Sequence, residues 1–160
     1  MRLDPQSPDD DVLRAWLEVA LDQARAGLAE GGVPIGATLI GRDGDVLGRG
    51  RNRRVQDGDP SVHAETAAFK DAGRQRSYRG TTMVTTLSPC WYCSGLVRQF
   101  GISRLLIGEA VTFSGGHTWL AEHGVEVIIR DDAACVVLME RFIADNPALW
   151  MEDIGDDSEL

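Results

Sequence analysis

Apolar residues near the start of the chain recur at intervals of three and four positions, which is the spacing of an amphipathic α-helix. The pattern runs from about Asp10 to Glu30 and comprises Leu13, Leu17, Ala20, Leu21, Ala24 and Leu28. Asp9 or Asp10 suits the N-cap position, and Gly31-Gly32 ends the helix. The sequence therefore predicts a long first helix with one buried face.

The next apolar segments have the composition of β-strands. Val33 to Ile40 predicts a buried strand, Arg42 to Asp45 a turn, and Val46 to Arg51 the returning strand of a hairpin. Three further strands, rich in β-branched and aliphatic residues, are predicted over residues 81–87, 102–108 and 125–129.

Helical patterns alternate with the later strands. A polar loop over residues 53–60 leads through Ser61 to a helix that ends at about Ala72. Further helices are predicted over residues 90–100, 117–123 and 133–144. The apolar side of the last one comprises Val136, Val137, Met139, Phe142 and Ile143. Asn146-Pro147 predicts a turn before a tail over residues 148–155.

This order of elements predicts an α/β fold with one mixed sheet of about five strands and helices on both faces. The later strand–helix–strand units imply parallel strands joined by right-handed crossovers. The 160 residues suit a single domain with a real core. Residues 1–10 and 156–160 are expected to be flexible, because they are polar, acidic and terminal.

Two short motifs carry the candidate chemistry: His63-Ala64-Glu65 and Pro89-Cys90-Trp91-Tyr92-Cys93. His63, Cys90 and Cys93 are three zinc ligands of the correct types, and a catalytic zinc site keeps its fourth position for water. Glu65 stands too close to His63 to ligate as well, so its predicted role is that of acid and base. The combined pattern is the signature of zinc deaminases that act on bases.

Other interpretations of the cysteine pair are a structural zinc half-site and a redox pair. A redox pair leaves His63 and Glu65 unexplained. A structural site needs a fourth protein ligand, for which the candidates are Cys135, His117 and His123. None of these three lies in a second paired motif, which favours the catalytic interpretation.

The net charge of −9 argues against a nucleic-acid polymer as partner, because phosphate contacts require lysine and arginine. The densest basic cluster, over residues 49–54, contains Arg49, Arg51, Arg53 and Arg54. A solvated edge or a subunit contact is the favoured interpretation of this cluster.

The chain contains no apolar run long enough to span a bilayer, so no membrane partner is expected. Residues 1–11 are acidic and unlike a signal peptide. The three cysteines do not make a disulfide framework. A cytoplasmic location is the resulting expectation.

From about residue 12 to Gly155 the chain resembles the cytidine deaminase superfamily, and within it the fungal-type zinc cytosine deaminases. Besides the metal motifs, the resemblance rests on residues 31–36, 46–50, 85–90, Gly108-Glu109, Trp150 and residues 152–155. It implies a three-layer α/β/α deaminase fold and a homodimer. It also implies hydrolytic removal of an exocyclic amine, which yields a carbonyl and ammonia, and a place in pyrimidine salvage.

The resemblance further implies polar contacts to a small flat substrate. By position, Asn52 and the backbone amide of Ala64 would bind the ring carbonyl. The carbonyl of Ser88 would contact the departing amine, and Asp153 would accept a ring N–H. Without the resemblance, Asn52 suits a turn and Asp153 a solvated acidic tail.

The resemblance also places Phe113 and Trp150 over the faces of the ring, with the tail as a lid that excludes water. From composition alone, ordinary core packing of both aromatic residues is favoured. The resemblance reverses that preference.

Trp91-Tyr92 departs from the fungal pattern, which has an acidic residue followed by methionine between the two cysteines. Two large aromatic residues there would reshape the pocket or belong to a dimer contact. The favoured reaction is cytosine to uracil plus ammonia. The alternatives are isocytosine, 5-substituted cytosines, aminotriazines, creatinine and guanine. A tRNA adenosine deaminase and a non-enzymatic zinc scaffold are less favoured.

Overall fold

Five strands form one mixed sheet in the computed structural model, which describes residues 7–156. The strands are β1 Gly36–Ile40, β2 Val46–Arg51, β3 Thr82–Leu87, β4 Arg104–Glu109 and β5 Glu126–Ile129. Their order across the sheet is β2-β1-β3-β4-β5. β1 runs antiparallel to β2 and β3, whereas β3, β4 and β5 are parallel. The predicted mixed sheet with parallel later strands is confirmed.

Seven helices accompany the strands in the described part of the chain. They are α1 Asp10–Ala29, α2 Arg54–Asp57, α3 Ala64–Ala72, α4 Trp91–Phe100, α5 His117–Glu122, α6 Ala133–Asp145 and α7 Pro147–Asp153. The sequence predicted all of these except α2 and α7, which it assigned to a polar loop and a tail. None of the helices in residues 7–156 is both long enough and apolar enough to cross a bilayer.

Helices cover both faces of the sheet, which confirms the expected three layers. One face buries an apolar cluster between the sheet, α1 and α6 that includes Leu13, Leu17, Leu21, Ile40, Val84, Leu106 and Cys135. The opposite face buries a larger cluster that joins α3, α4 and α7 to the sheet and includes Leu39, Ala68, Met83, Val97, Leu105 and Trp150. The two metal-type motifs stand on the second side.

Several predicted boundaries differ from the structure for local reasons. The first strand begins at Gly36, and residues 33–35 are buried but outside it, because Pro34 has no N–H to donate to a ladder. On α6, Val137 is 49% exposed, and Cys135 takes a buried position in its place. The predicted apolar face of α6 is therefore correct at Met139 and Phe142, which are buried, and wrong at Val137.

The predicted flexible segment of residues 1–10 overlaps the start of α1. Asp9 is the N-cap of α1, where its side-chain Oδ1 accepts a 2.9 Å hydrogen bond from Val12 N, and Asp10 is the first helical residue. The rest of the flexibility prediction falls on residues 1–6 and 157–160, which lie outside the described residues, and on residues 7, 8 and 156.

Three of the four arginines in the cluster over residues 49–54 form ion pairs within the chain. Arg51 and Arg53 form ion pairs of 2.6 and 3.1 Å with Glu30. Arg53 also pairs with Asp57 at 2.9 Å, and Arg54 lies 3.6 Å from Glu152 of α7. These pairs support a solvated edge and leave little free positive charge for phosphates.

Glycine at position 50 allows β2 to lie against α3, and we expect Gly50→Ala to destabilise the fold. A Cβ there would stand 2.4 Å from Ala68 N and 2.6 Å from the Cβ of Ala67. Overpacking of this kind costs about 2–3 kcal/mol, measured by urea unfolding. The control is Gly95→Ala in α4, where a Cβ meets nothing within 4 Å and helix propensity improves. Equal stability of the two variants would contradict the close approach.

Candidate active site

Both metal-type motifs stand at the beginning of a helix. His63 is the N-cap of α3, and Cys90 is the N-cap of α4 with Cys93 in its first turn. The prediction had placed His63 and Cys90 inside the helices. The extended backbone of each cap turns its side chain toward the first, unpaired N–H groups of the helix. The partial positive charge of a helix N-terminus favours thiolate over thiol.

The three predicted ligands converge into one group that could hold a metal ion. The donor atoms of His63, Cys90 and Cys93 all lie within 4.8 Å of one another, and His63 Nδ1 is 3.5 Å from Cys90 Sγ. Tetrahedral zinc with bonds of about 2.3 Å to sulfur and about 2.0 Å to nitrogen separates its donors by about 3.5 Å. The residues present therefore fit zinc.

A fourth protein ligand is absent among residues 7–156. Cys135 is buried in the apolar cluster on the other face of the sheet. His117 Nδ1 lies 2.7 Å from Ser88 Oγ, and His123 Nδ1 lies 2.7 Å from Trp119 O. The donor set is that of an open, catalytic zinc site rather than a closed structural one.

The donors perturb one another electrostatically. The hydrogen bond with Cys93, opposed by burial and assisted by His63, lowers the pKa of Cys90 to about 4. Burial lowers the pKa of the His63 ring, but the hydrogen bond and charge of Cys90 outweigh it and bring that pKa to about 9. The hydrogen bond with Cys90, together with burial, raises the pKa of Cys93 well above its usual value. Metal binding to such a group releases protons.

Glu65 is a buried carboxyl group one residue into α3. Its side chain is 4% exposed, and Thr85 Oγ1 of β3 donates a 3.0 Å hydrogen bond to its Oε1. Burial, and after it the charge of Cys90, raises the pKa of Glu65. A carboxyl group with a raised pKa beside metal donors is suited to carry a proton in both directions. Thr85 was not singled out from the sequence.

A small cavity of about 30 Å³ adjoins the donor group. Its walls are Ile35, Asn52, His63, Ala64, Glu65, Leu87, Ser88, Cys90, Phe113, Trp150, Asp153 and Ile154. The structure thus brings together every predicted site residue, with Cys93 buried behind the wall. α7 supplies the part of the wall that includes Trp150 and Asp153.

The amide of Asn52 is held in one orientation. Its Oδ1 accepts a 3.0 Å hydrogen bond from Arg54 N, and its Nδ2 donates to Asp153 Oδ1 at 3.2 Å. Burial raises the pKa of Asp153, whereas the Asn52 hydrogen bond lowers it. The oxygen of Asn52 is thus occupied by the start of α2, and a second N–H of Nδ2 is available on the cavity side.

Phe113 and Trp150 meet edge to face on the cavity wall. Their ring centroids are 5.8 Å apart and their planes stand at 90°. Trp150 is 6% exposed and belongs to the apolar cluster, so it packs in the core and also lines the cavity. Edge-to-face aromatic pairs of this kind have a defined geometry.

The side chains of Ser88 and His117 anchor the loop before α5, a role that the sequence did not predict for either residue. Ser88 Oγ accepts a 2.9 Å hydrogen bond from Gly115 N and lies 2.7 Å from His117 Nδ1. The Ser88 hydroxyl can make both hydrogen bonds at once, and the tautomer of His117 decides which partner donates in the second. This pairing holds the loop close to the end of β3.

Glu109 secures the other end of the same loop. It is fully buried, and its carboxylate accepts hydrogen bonds from Val111 N at 2.7 Å and from Thr112 N at 3.0 Å. Its own backbone oxygen accepts from Ser88 N at 2.9 Å. The loop that carries Phe113 is therefore fixed at both ends. The only sequence signal was the Gly108-Glu109 motif of the resemblance.

Trp91 and Tyr92 project outward and do not line the cavity, so the interpretation that they reshape the pocket is wrong. They are 66% and 53% exposed. Tyr92 packs edge-on against His63 with centroids 5.2 Å apart, and Trp91 packs against Trp119 at 6.4 Å.

A three-layer α/β/α fold in which one histidine and two cysteines meet at helix N-termini beside a buried glutamate defines a zinc-dependent hydrolytic deaminase, a hydrolase of C–N bonds. Residues 11–109 match the family model described as the cytidine and deoxycytidylate deaminase zinc-binding region. The chain therefore belongs to this deaminase family.

Similarity to individual proteins extends beyond that region. The cytosine deaminase of Candida albicans is 44% identical over 142 residues, which cover 88% of this chain and 95% of the relative. A tRNA-specific adenosine deaminase of Buchnera aphidicola is 38% identical over 98 residues, 59% of this chain and 64% of the relative. The solved structure of a guanine deaminase from Nitrosomonas europaea superposes with a TM-score of 0.63 at 26% identity, covering 79% of this chain and 82% of the other.

Proposed function

We propose that this enzyme deaminates free cytosine, with water, to uracil and ammonia. The observation that carries the proposal is the small cavity beside the metal donors, with one wall supplied by α7. The similarity to the Candida albicans cytosine deaminase, which covers 95% of that relative, supports the same substrate. Such a reaction belongs to pyrimidine salvage.

The polar wall of the cavity recognises the ring. Asn52 donates its free amide N–H to the ring carbonyl, because its oxygen is held by Arg54 N. The backbone N–H of Ala64 donates to the same carbonyl, since the first residue of a helix has no partner within the helix. Asp153 accepts a ring N–H. A site built from such aimed groups rejects analogues that lack them.

The apolar wall and α7 exclude water from the ring. Phe113 and Trp150 cover its faces, and the carbonyl of Ser88 contacts the amine that leaves. We propose that α7, which supplies Trp150 and Asp153 to the cavity wall, moves outward for entry of the ring and returns over the bound ring.

Glu65 is the residue that transfers protons. His63, Cys90 and Cys93 would hold zinc, which would supply a Lewis acid that lowers the pKa of water from about 16 toward about 7. Glu65 takes one proton from the attacking water and passes it to the ring nitrogen, and then takes the second proton of the same water oxygen and delivers it to the departing amine. The hydrogen bond from Thr85 to Oε1 holds the carboxyl group in position for these transfers.

Ammonia release from a panel of amino-heterocycles tests the substrate assignment. The zinc-loaded protein is assayed with cytosine, 5-methylcytosine, isocytosine, an aminotriazine, creatinine and guanine. We expect the highest kcat/KM for cytosine. A higher value for guanine would transfer the assignment to the second candidate, which the likeness to the Nitrosomonas europaea guanine deaminase favours. An anticodon stem-loop RNA serves as a further substrate, and its deamination would favour the tRNA alternative.

We expect Asn52→Ala to reduce kcat/KM for cytosine by about 10²-fold, the effect of losing one to two hydrogen bonds to substrate in a buried site. Zinc content should remain one per chain, because Asn52 is not a ligand. Steady-state kinetics and metal analysis check the two parts. Gln99→Ala, an exposed amide on α4 outside the cavity, is the control. Unchanged kinetics in Asn52→Ala would remove Asn52 from the binding site.

We also assign a homodimer to this protein, formed through the exposed aromatic side of α4. Trp91 and Tyr92 are 66% and 53% exposed, an arrangement typical of interaction surfaces. Light scattering should give twice the chain mass, and Trp91→Asp should give the monomer mass. The control is Val137→Asp on α6, another exposed apolar position. A monomeric wild-type protein would exclude the dimer.

Its place of action is the cytoplasm. The support is chemical: Cys90, Cys93 and Cys135 are all unpaired, and a reducing compartment keeps thiolates available for zinc. Its partner is a small uncharged ring, and neither a membrane nor a nucleic-acid polymer is required.

A further inference from the structure

A surface groove of about 780 Å³ lies away from the metal centre, between the C-terminal ends of α3 and α4 and the connection that follows α3. The catalytic residues stand at the opposite, N-terminal ends of these two helices. The nine residues of α3 separate the two places by about 13 Å, at about 1.5 Å per residue. The groove is therefore distinct from the site described above.

The walls of the groove are strongly basic. They contain Lys70, Arg74, Arg76, Arg79 and Arg98, five of the 16 basic residues of a chain whose net charge is −9. No acidic residue lines the groove within the described part of the chain. Placing five cations together in an acidic protein gives one region of positive potential.

The arginines of the groove lack the ion pairs that occupy arginines elsewhere. Arg25 and Arg53 each contact two carboxylates, whereas Arg74, Arg76, Arg79 and Arg98 have no ion pair with any residue between 7 and 156. Within the described residues no carboxylate pairs with these guanidinium groups, and the guanidinium geometry suits phosphate oxygens.

An aromatic cluster forms the apolar part of the groove. Phe69 lies 4.6 Å from Phe100 and 4.8 Å from Tyr78, measured between ring centroids. Phe100 is 45% exposed, although its neighbours are half-buried. An exposed ring beside arginines provides a stacking surface for a heteroaromatic base.

Acidic residues limit the basic region on both sides. The depression that shares Lys70 with the groove contains Asp57, Asp59 and Asp71. The depression that shares Gln75 and Ser77 contains Asp43 and Asp45. A polynucleotide would extend over these carboxylates and be repelled. The positive region therefore suits one small polyanion rather than a polymer.

We propose that this groove binds a phosphorylated nucleotide. Its phosphates lie against Arg74, Arg76, Arg79 and Arg98, and its base stacks on Phe100. The volume of about 780 Å³ falls within the range of small-molecule sites. Binding there involves none of the residues of the deaminase site.

Calorimetric titration of the zinc-loaded protein tests the proposal. Uridine triphosphate, inorganic tripolyphosphate and uridine are titrated at matched ionic strength, with zinc content measured before and after. We expect saturable binding of the first two with Kd below about 1 mM and none of uridine alone. Stacking should make the nucleotide bind about fivefold or more tighter than tripolyphosphate.

Paired variants separate a built site from general attraction by charge. Arg74→Ala with Arg98→Ala should weaken binding of both anions by at least about tenfold. Arg14→Ala with Arg25→Ala changes the net charge equally on the exposed side of α1, and should alter Kd by less than about twofold. Equal effects of the two pairs, or no saturation in the wild-type protein up to about 5 mM, would overturn the proposal.

Phe100→Leu tests whether the base of the nucleotide stacks on the Phe100 ring. It keeps an apolar side chain but removes the ring, and should weaken uridine triphosphate binding while leaving tripolyphosphate binding unchanged. If tripolyphosphate binds as tightly as the nucleotide, the ligand is a free polyphosphate and the nucleotide assignment is wrong. Tighter, steeply salt-dependent binding of single-stranded RNA would show that a polymer is the ligand instead.

Discussion

Glu65→Gln is expected to lower kcat by about 10²–10⁴-fold, the contribution of a positioned general acid and base. The amide keeps the size of the side chain and its contact with Thr85, but cannot carry a proton between water, ring and amine. Zinc content should stay at one per chain, because the three donors do not include Glu65. Ammonia release and metal analysis on the same preparation measure both.

The matched control for this variant is Glu140→Gln, an exposed position on α6 far from the cavity walls. It makes the same chemical change and should leave kcat unaltered. A Glu65→Gln enzyme that retained more than a tenth of wild-type turnover would show that the proton travels by another group.

Cys90→Ala is expected to abolish activity by removing zinc. Structural zinc sites with four ligands bind with about 12 kcal/mol, so the loss of one ligand weakens binding by about 3 kcal/mol, or more than 10²-fold. Dialysis against a mild chelator followed by metal analysis should leave the variant without zinc and the wild-type protein with one ion per chain.

Cys135→Ala is the control. Like Cys90, Cys135 forms no disulfide, but it lies in the apolar cluster under α1. It should retain zinc and turnover. Loss of zinc in Cys135→Ala to the same degree as in Cys90→Ala would mean that the metal centre has a fourth protein ligand, and the open site would be excluded.

The parts of the fold that could be predicted from sequence are those with strong local signals. The spacing of apolar residues gave α1 to within one residue, and the turn over residues 42–45 gave the hairpin. The metal group could be predicted because spacing and residue types are dictated by zinc itself. The convergence of Asn52, Phe113 and Asp153 depended instead on the resemblance, since they lie far apart in sequence.

The features that were missed depend on contacts that no local pattern records. α2 is a single turn, begun by the Asn52 side chain, and has no buried residue to create periodicity. α7 did carry a signal, a proline at its first position, but with seven residues it is too short to show a helical period of apolar residues. The hydrogen bond of Thr85 to Glu65 joins a strand to a helix, and only the folded chain brings them together.

The residues that line the cavity come from two successive segments of the chain. The matched family region ends at residue 109, and it contains the metal donors, Glu65 and Asn52. Phe113, Trp150 and Asp153 come later, from the loop before α5 and from α7. The metal donors with Glu65 and the outer part of the cavity wall thus come from successive segments of one chain. Exchanging residues 110–156 for the equivalent portion of a purine-specific relative should redirect the choice of base and leave the hydrolytic step intact.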